Sequence, residues 1–329
     1  MDMTPEEIIA LGRKFMESRI FLTAAELDVF TILAKRSMSA REAADALKVT
    51  ERGITILLDA LASMGLLEKN TDMYHCPAGV ASSLSTESPG TIIPMIRHNV
   101  GGWKRWSNLT EIVRHGMDDN KTMGFLDNES ELEAFIGAMH VVAYNLAPGI
   151  VSAIRPGQAK KLLDIGGASG SYTQAFLEAF PGMTATLFDL PPVIKIAERR
   201  LSGTGLLQRI TLVPGNFYLD ELPQGYDLVL LSAIIHQNST EQNIALYRKI
   251  YRALVPGGRI IIRDHVMTPD HTQPARGALF AVNMLVGTQG GGTYSFEEIR
   301  ESLEVAGFIN VRLIQPDERM NGLVEGFRP

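Results

Sequence analysis

The sequence predicts an α/β domain with a mostly parallel sheet, preceded by a mainly helical domain. Two observations support this fold class. The hydrophobic pattern changes near Ala159, from apolar residues at helical spacing to short apolar runs that alternate with helical stretches. The chain has 329 residues, 45% of them hydrophobic and 21% charged, so it is long enough to form more than one globular core. We expect one domain at 1–100, a helical connector at 101–155 and a second domain at 156–329.

The first hundred residues predict helices and one hairpin. Apolar residues between Pro5 and about Leu33 recur at spacings that suit two amphipathic helices. Farther along, Ser39 and Thr50 can each cap a helix, and the stretch MGLLEKNTDMYHC predicts a short hairpin. Helices followed by such a hairpin are the pattern of a winged helix.

Winged helices often bind DNA, but this one is predicted not to. In the second capped helix, from Thr50 to Met64, Arg52 is accompanied by Glu51 and Asp59, so the helix lacks the cationic face that phosphate binding needs. The net charge of −6 also argues against a general nucleic-acid or anionic-membrane binder. We therefore expect neither partner.

Seven apolar runs follow Ala159, and each predicts a strand. They are KLLDIG, TATLFDL, ITLVPG, YDLVLLSAII, RIIIRDHV, the segment from Ile309 to Ile314 and the segment from Leu323 to Phe327. Alternation with helical stretches is typical of a parallel sheet wound by right-handed crossovers. Ligands bind at the carboxyl ends of such strands.

A glycine turn follows the first predicted strand, in KLLDIGGASG. Gly166, Gly167 and Gly170 permit a sharp turn and a close approach to a ligand at the start of a helix. Asp189 ends the next predicted strand, where a carboxylate can accept hydrogen bonds from both hydroxyls of a ribose. The motif opens with an acid and lacks G-x-G-x-x-G, which favours a nucleoside with an amino-acid tail over a pyrophosphate.

With these motifs the chain resembles the class I S-adenosylmethionine (SAM)-dependent methyltransferases, and within them the O-methyltransferases of plant caffeate type and of bacterial antibiotic and pigment synthesis. DIGGASG is similar to the family's D-x-G-G-x-x-G, FDLP to its F-D-L-P, PGNF to its G-D-F/M-F, and LVPGGRIIIRD to its L-x-P-G-G-x-x-x-I-x-E/D. The resemblance covers nearly the whole chain. It implies a Rossmann-like methyltransferase domain with a mostly parallel seven-stranded sheet, preceded by a winged-helix dimerisation domain, and a homodimer.

The resemblance also implies SAM as cofactor, S-adenosylhomocysteine (SAH) as its product, and no metal. Asn216 stands where the family motif has an acid, and its amide can still hydrogen-bond adenine, while Phe217 can stack on the ring. Ser232 stands where bacterial relatives have a serine near the polar end of the cofactor. The candidate cofactor-binding residues are Asp164, Gly166, Gly167, Gly170, Asp189, Leu190, Asn216, Phe217 and Ser232.

His236 is the candidate general base. It follows a predicted strand and precedes a helix that Ser239 can cap, at the position of the family's catalytic histidine. A phenol with a pKa of about 10 is mostly protonated at neutral pH, so a base assists its attack on a methyl group. Asp264 matches the family's first acidic partner of that histidine, whereas Thr293 stands where the family has a second acid.

The acceptor is expected to be a small hydroxylated aromatic or polyketide-like molecule. Candidate residues for its pocket are Phe135, Met139, Phe280, Asn283 and Met284. Two alternatives are kept: a SAM-binding hydroxylase or decarboxylase of the same fold, and a winged-helix regulator with a ligand-sensing domain, which the acidic character of the Thr50–Met64 helix disfavours. The missing second acid keeps the first alternative open.

The N-terminal residues, the lengths of the apolar runs and the cysteine count bear on the cellular compartment. The N-terminus carries early acids and no signal-peptide pattern, and the sequence shows no uninterrupted apolar run of membrane-spanning length. The single cysteine, Cys76, has no partner for a disulfide or a zinc site. We expect a cytoplasmic protein.

Overall fold

The computed structural model describes residues 3–117 and 129–329, with the side chains of residues 130 and 131 excepted. It divides into two compact units, Met1–Lys104 and Arg105–Pro329. Part of the predicted connector, residues 118–128, lies outside the described residues.

The first unit is mainly helical. Its helices are α1 (Pro5–Arg13), α2 (Phe15–Glu26), α3 (Val29–Lys35), α4 (Ala40–Leu47), α5 (Glu51–Ser63) and α6 (Ala78–Leu84), and α7 (Ile93–Trp106) begins in it. Its strands β1 (Met38–Ser39), β2 (Glu68–Asn70) and β3 (Met73–His75) form one small sheet in the order β1-β3-β2. The predicted hairpin is therefore β2 and β3, and the winged-helix interpretation stays a prediction.

The predicted caps of this unit are present. Ser39 forms a capping box with Glu42 at the start of α4, and the Thr50 side chain accepts the Gly53 N–H at the start of α5. The buried side chains of α2 to α5 form one apolar core. Helix α1 is different, because none of its residues is buried and its apolar face is open.

The second unit contains a seven-stranded sheet. Its strands are β4 (Lys161–Ile165), β5 (Thr184–Asp189), β6 (Ile210–Pro214), β7 (Tyr226–Ser232), β8 (Leu254–Asp264), β11 (Ile309–Gln315) and β12 (Gly322–Phe327). Their spatial order is β11-β12-β8-β7-β4-β5-β6, and β12 runs antiparallel to both of its neighbours while the other pairs are parallel. The predicted mostly parallel seven-stranded sheet is confirmed. A separate parallel pair joins β9 (Val266–Met267) to β10 (Tyr294–Ser295).

Helices cover both faces of this sheet. The helices that lie wholly in the second unit are α8 (Leu109–His115), α9 (Glu129–Ile154), α10 (Ser171–Ala179), α11 (Pro191–Ser202), α12 (Thr240–Ala253), α13 (Ala275–Leu285) and α14 (Phe296–Val305). Leu230 and Ile261 point into the core beneath α9, α10 and α11, whereas Val229 and Ile262 point into the core beneath α12 and α14. Successive residues of a strand thus point into opposite cores. Neighbouring polar residues at a strand end therefore point to opposite faces of the sheet.

One helical segment of the described chain, Leu132–Ile154, has the length and mean hydropathy of a membrane span. Its last turns carry Ala147, Ile150, Val151 and Ile154, which are buried against the sheet. Such packing is typical of the core helix of a soluble protein.

Strand β7 ends earlier than predicted. The predicted run extended through Ile235, but the strand stops at Ser232 because Ala233 has a left-handed backbone conformation with φ 57°. A single 3-10 turn, Ile235–Gln237, follows. The chain therefore leaves the sheet sharply just before His236, and Ser239 with Gln242 then forms the predicted capping box of α12.

Candidate active site

The glycine turn lies at the carboxyl end of β4. Gly166 and Gly170 both have positive φ, 66° and 73°, in the region that favours glycine. A Cβ on Gly167 would lie 2.8 Å from Leu187, and one on Gly170 would lie 2.8 Å from Leu201. The glycines therefore let the turn sit directly on the sheet core, and α10 begins at Ser171 without a side-chain cap.

Asp189, at the end of β5, is fixed beside this turn by two backbone amides. Ala168 N–H donates to Oδ2 at 2.8 Å, and Leu190 N–H donates to Oδ1 at 2.7 Å. Burial raises the pKa of Asp189 to about 6, although both hydrogen bonds act to lower it. The carboxylate is thus held in one orientation and is close to titrating at neutral pH.

Asp164 lies beneath the turn, fully buried. Its Oδ2 accepts a hydrogen bond of 2.7 Å from Thr173 Oγ1 on α10. Burial raises its pKa to about 6, the Thr173 hydrogen bond opposes the rise and the Asp189 charge adds to it. Asp164 therefore ties α10 to β4 below the turn.

The residues predicted to meet the adenine follow β6. Asn216 Oδ1 accepts the Tyr218 N–H at 2.9 Å, which leaves the amide NH₂ as the group that can face a ligand. The Phe217 ring lies 4.5 Å from that of Tyr218 and reaches toward the Gly166 turn, 3.9 Å from where a Cβ on Gly166 would be. These positions follow the carboxyl end of β6, next to Asp189 at the carboxyl end of the neighbouring parallel strand β5.

His236 and Asp264 form a hydrogen-bonded pair. The imidazole Nδ1 lies 2.8 Å from Oδ1 and 2.9 Å from Oδ2 of a carboxylate whose side chain is 1% exposed. Burial acts to raise the pKa of Asp264, but the His236 charge, the hydrogen bonds from His236 and the His265 N–H, and the Arg263 charge together lower it. An ionised carboxylate only accepts, so Nδ1 carries the proton and Nε2 presents its lone pair.

The backbone of the His236 turn is held by a buried polar network. Asn238 donates to Asn243, which in turn donates to the Ile235 carbonyl at 3.0 Å, and Tyr294 donates to the Asn238 carbonyl. Gly292 N–H donates to the His236 carbonyl at 2.9 Å. The polar residues after the histidine thus position the turn.

The segment of residues 290–293 packs against this turn. A Cβ on Gly291 would collide with the His236 carbonyl oxygen and would lie 2.5 Å from Thr288 Oγ1. Thr293, at the position of the family's second acid, is buried. The segment therefore braces His236 through its backbone.

The candidate acceptor residues lie on two helices. On α13, Phe280 meets the His236 ring edge-on, with ring centroids 4.9 Å apart, and Asn283 Oδ1 accepts the Trp106 Nε1–H at 3.0 Å. Met284, also on α13, is buried. On α9, Phe135 packs in a cluster with Ala168 and Leu190, beside the glycine turn, and Met139 is half-buried. Phe280 is thus the candidate acceptor residue that touches His236 directly.

Three polar groups near the site were not predicted. Arg263, next to Asp264 in β8, is buried. His265 Nδ1 lies 2.6 Å from Oδ2 of Asp317, and its ring lies 5.1 Å from that of Phe280. His140 Nδ1 lies 2.8 Å from the Ser171 hydroxyl, and burial together with the Arg200 charge lowers its pKa. The sequence could have pointed to Arg263, because an arginine is unusual in an apolar strand. The pairs His265–Asp317 and His140–Ser171 join segments that are distant in the sequence, so no local pattern predicts them.

Comparison with known families identifies the chain. Residues 106–309 match the O-methyltransferase domain, and residues 9–84 match the O-methyltransferase dimerisation domain. The chain belongs to the O-methyltransferase family. It is a SAM-dependent O-methyltransferase with an N-terminal dimerisation domain, which confirms the predicted enzyme class and cofactor.

Two curated relatives are similar along nearly their whole length. The tetracenomycin polyketide synthesis 8-O-methyl transferase TcmO of Streptomyces glaucescens is 30% identical, with 94% of this chain and 92% of TcmO covered. The 3-hydroxy-5-methyl-1-naphthoate 3-O-methyltransferase of Streptomyces sahachiroi is 29% identical, with 98% and 95% covered. Among solved structures, PigF with SAH has a TM-score of 0.89 at 28% identity and covers 99% of this chain and 100% of PigF.

The residues at the sheet edge fit SAM. The amide-anchored carboxylate of Asp189 suits a ribose diol, and the uncapped start of α10 leaves backbone N–H groups directed at the glycine turn. A donor amide at Asn216 suits a ring nitrogen of adenine. Asn216, Asp189 and the glycine turn follow the neighbouring strands β6, β5 and β4. A nucleoside followed by its amino-acid tail can extend across the carboxyl ends of these strands in that order.

Proposed function

We propose that this enzyme methylates a hydroxyl of a small aromatic or polyketide-like molecule, with His236 as general base. The observation that carries the proposal is the contact between His236 Nδ1 and both oxygens of the Asp264 carboxylate, 2.8 and 2.9 Å away. It fixes the tautomer in which Nε2 is the proton acceptor. The names of TcmO and the naphthoate methyltransferase, both enzymes that methylate ring systems of this kind, support the choice of acceptor.

Asp164, Gly166, Gly167, Gly170, Asp189, Leu190, Asn216, Phe217 and Ser232 are proposed to hold the cofactor. When bound, SAM supplies a methyl group on a positively charged sulfur. His236 Nε2 removes the proton of the acceptor hydroxyl as that oxygen forms its bond to the methyl carbon, and the carbon–sulfur bond breaks to leave neutral SAH. Asp264 stabilises the imidazolium that forms.

Phe280 is proposed to form the acceptor-side wall against His236, with Asn283, Met284, Phe135 and Met139 completing the pocket. The edge-on contact of Phe280 with His236 supports this assignment. A flat aromatic acceptor suits such a wall, because aromatic rings prefer edge-to-face or offset packing.

The enzyme is proposed to act as a homodimer through residues 1–100, with 101–155 as a connector and 156–329 as the catalytic domain. Support comes from the dimerisation-domain match and from the open apolar face of α1, where Ile8, Ile9 and Leu11 are each more than half exposed. A surface of this kind is typical of a contact between subunits.

Incubation with methyl-labelled SAM and a panel of phenols, naphthols and hydroxylated polycyclic aromatics tests the function. The expected result is a labelled methyl ether formed by the wild type and lost in His236→Ala. Mass spectrometry distinguishes the first alternative, since a hydroxylase or decarboxylase changes the acceptor mass without adding a methyl group. A DNA-binding assay at low salt tests the regulator alternative.

A further inference from the structure

Arg263 is a buried charge that forms no salt bridge with the residues that the structure describes. The residue is 2% exposed, and its Nε and Nη2 have no hydrogen-bond partner within residues 3–117 and 129–329. It points into the same core as Ile261 and lies over the Tyr172 ring, with Cζ 5.6 Å from the ring centroid. A cation–π contact alone does not replace the hydration that a buried guanidinium loses.

Two hydroxyl groups near Arg263 are also buried without a hydrogen-bond partner among the described residues. Ser232 is the partner of Arg263 across β7 and β8, and its Oγ is buried without a partner among the described residues, as is the Tyr172 hydroxyl. Burial raises the pKa of Tyr172, the Arg263 charge and the Ser232 hydroxyl act to lower it, and the Asp164 charge adds to the rise, so Arg263 and Ser232 both lie near the Tyr172 hydroxyl. Guanidinium and hydroxyl groups can all donate, so the cluster offers several donors to one anionic acceptor.

The position of this cluster in the sheet indicates which anion can reach it. Ser232 and Arg263 lie at the carboxyl ends of β7 and β8, and Tyr172 lies in the first turn of α10, whose N-terminus is uncapped. Across the sheet, β5 with Asp189 is followed by β4 with its glycine turn, then by β7 and then by β8. The amino-acid arm of a nucleoside whose ribose is held by Asp189 therefore extends toward this cluster, and its carboxylate is its anionic group.

We propose that Arg263, with the hydroxyls of Tyr172 and Ser232, binds the α-carboxylate of the methionine arm of SAM. This inference rests on the proposed cofactor site but not on methyl transfer. Charge-assisted hydrogen bonds of a guanidinium to a carboxylate are among the stronger polar contacts in proteins, and the first turn of α10 adds a favourable partial charge. Arg263 then makes the site selective for ligands that keep the amino-acid arm.

Titration calorimetry with two ligands tests the proposal. SAH has the carboxylate, whereas 5′-methylthioadenosine keeps the adenosine and the sulfur but lacks the amino-acid arm. Arg263→Met should weaken SAH binding by on the order of tenfold to a hundredfold and leave methylthioadenosine binding within about twofold. Asp189→Ala is the matched control, because losing the ribose contact should weaken both ligands alike.

Each outcome decides the question. Equal losses for both ligands in Arg263→Met would show a general role in the fold, and an unchanged SAH affinity would show that the carboxylate binds elsewhere. If Arg263→Met does not fold, Tyr172→Phe tests the same cluster, since loss of its hydroxyl should weaken SAH binding by about fivefold to tenfold and leave methylthioadenosine binding within about twofold. These measurements need no acceptor, so they stay informative if methyl transfer fails with every acceptor tried.

Discussion

Both oxygens of the Asp264 carboxylate lie within 2.9 Å of Nδ1 of His236. A carboxylate that is 1% exposed and ionised fixes the ring, its tautomer and the direction of its free nitrogen at once. The two residues are therefore expected to respond differently to substitution.

His236→Ala should lose methyl transfer by about 10² to 10⁴-fold while keeping its affinity for SAH, because the proton acceptor is removed and the cofactor contacts are not. Single-turnover assays with labelled SAM, combined with calorimetry, measure both properties. If the variant retained most of the wild-type rate, catalysis would proceed by proximity alone or the hydroxylase or decarboxylase hypothesis would lead.

Asp264→Asn should cost less than His236→Ala. The amide keeps the shape and one hydrogen bond, but the charge that stabilises the imidazolium is lost. The acidic limb of the rate-against-pH profile should therefore move to lower pH. An unchanged midpoint with a reduced rate would assign Asp264 a purely structural role.

Cofactor affinity should depend on pH through Asp189. Its pKa of about 6 in the free protein means that the carboxylate is ionised above pH 6 and becomes protonated as the pH falls through that value. Only the ionised form can accept from both ribose hydroxyls, so SAH should bind about tenfold more weakly at pH 5 than at pH 7. Asp189→Asn should bind weakly at both values with a smaller dependence, to which Asp164 still contributes.

Gly291→Ala should impair turnover without impairing cofactor binding. The added Cβ would collide with the His236 carbonyl and so shift the turn that carries the base, and displacements of about 1 Å can cost on the order of 10²-fold in rate. Gly292→Ala is the matched control, since a Cβ there meets nothing within 4 Å. Equal activities of the two variants would contradict the bracing role of this segment.

The double variant Ile8→Glu/Leu11→Glu should convert the proposed dimer into a folded monomer. Both side chains are more than half exposed on α1, which has no buried residue, so the core of the first unit is not touched. Light scattering after size-exclusion chromatography measures the mass. Val113→Glu, at a position on α8 that is also more than half exposed, should leave the assembly unchanged, and a dimeric double variant would place the interface elsewhere.

The sequence pattern predicted the residues that end strands and missed those whose roles depend on side-chain direction. Gly166, Asp189 and His236 follow apolar runs, so the strand order brings them to one edge. The contact of His265 with Asp317 joins residues far apart in the sequence, and no local pattern signals it. Arg263 could have been noticed as a charge in an apolar strand, but that its Nε and Nη2 have no hydrogen-bond partner among the described residues follows only from the packing around it.

Arg263 and Asp264 are separated by one peptide bond and project from opposite sides of β8, toward Tyr172 and His236 respectively. A substitution at one position leaves the other side chain on its own side of the strand, so the proposed cofactor contact and the proposed base can be varied separately. Insertion or deletion of one residue in the preceding part of β8 would instead exchange the two sides, presenting a cation to the histidine and a carboxylate to the core of α10. A change of length by one residue in this strand should therefore disrupt both contacts, whereas a substitution at either position should disrupt one.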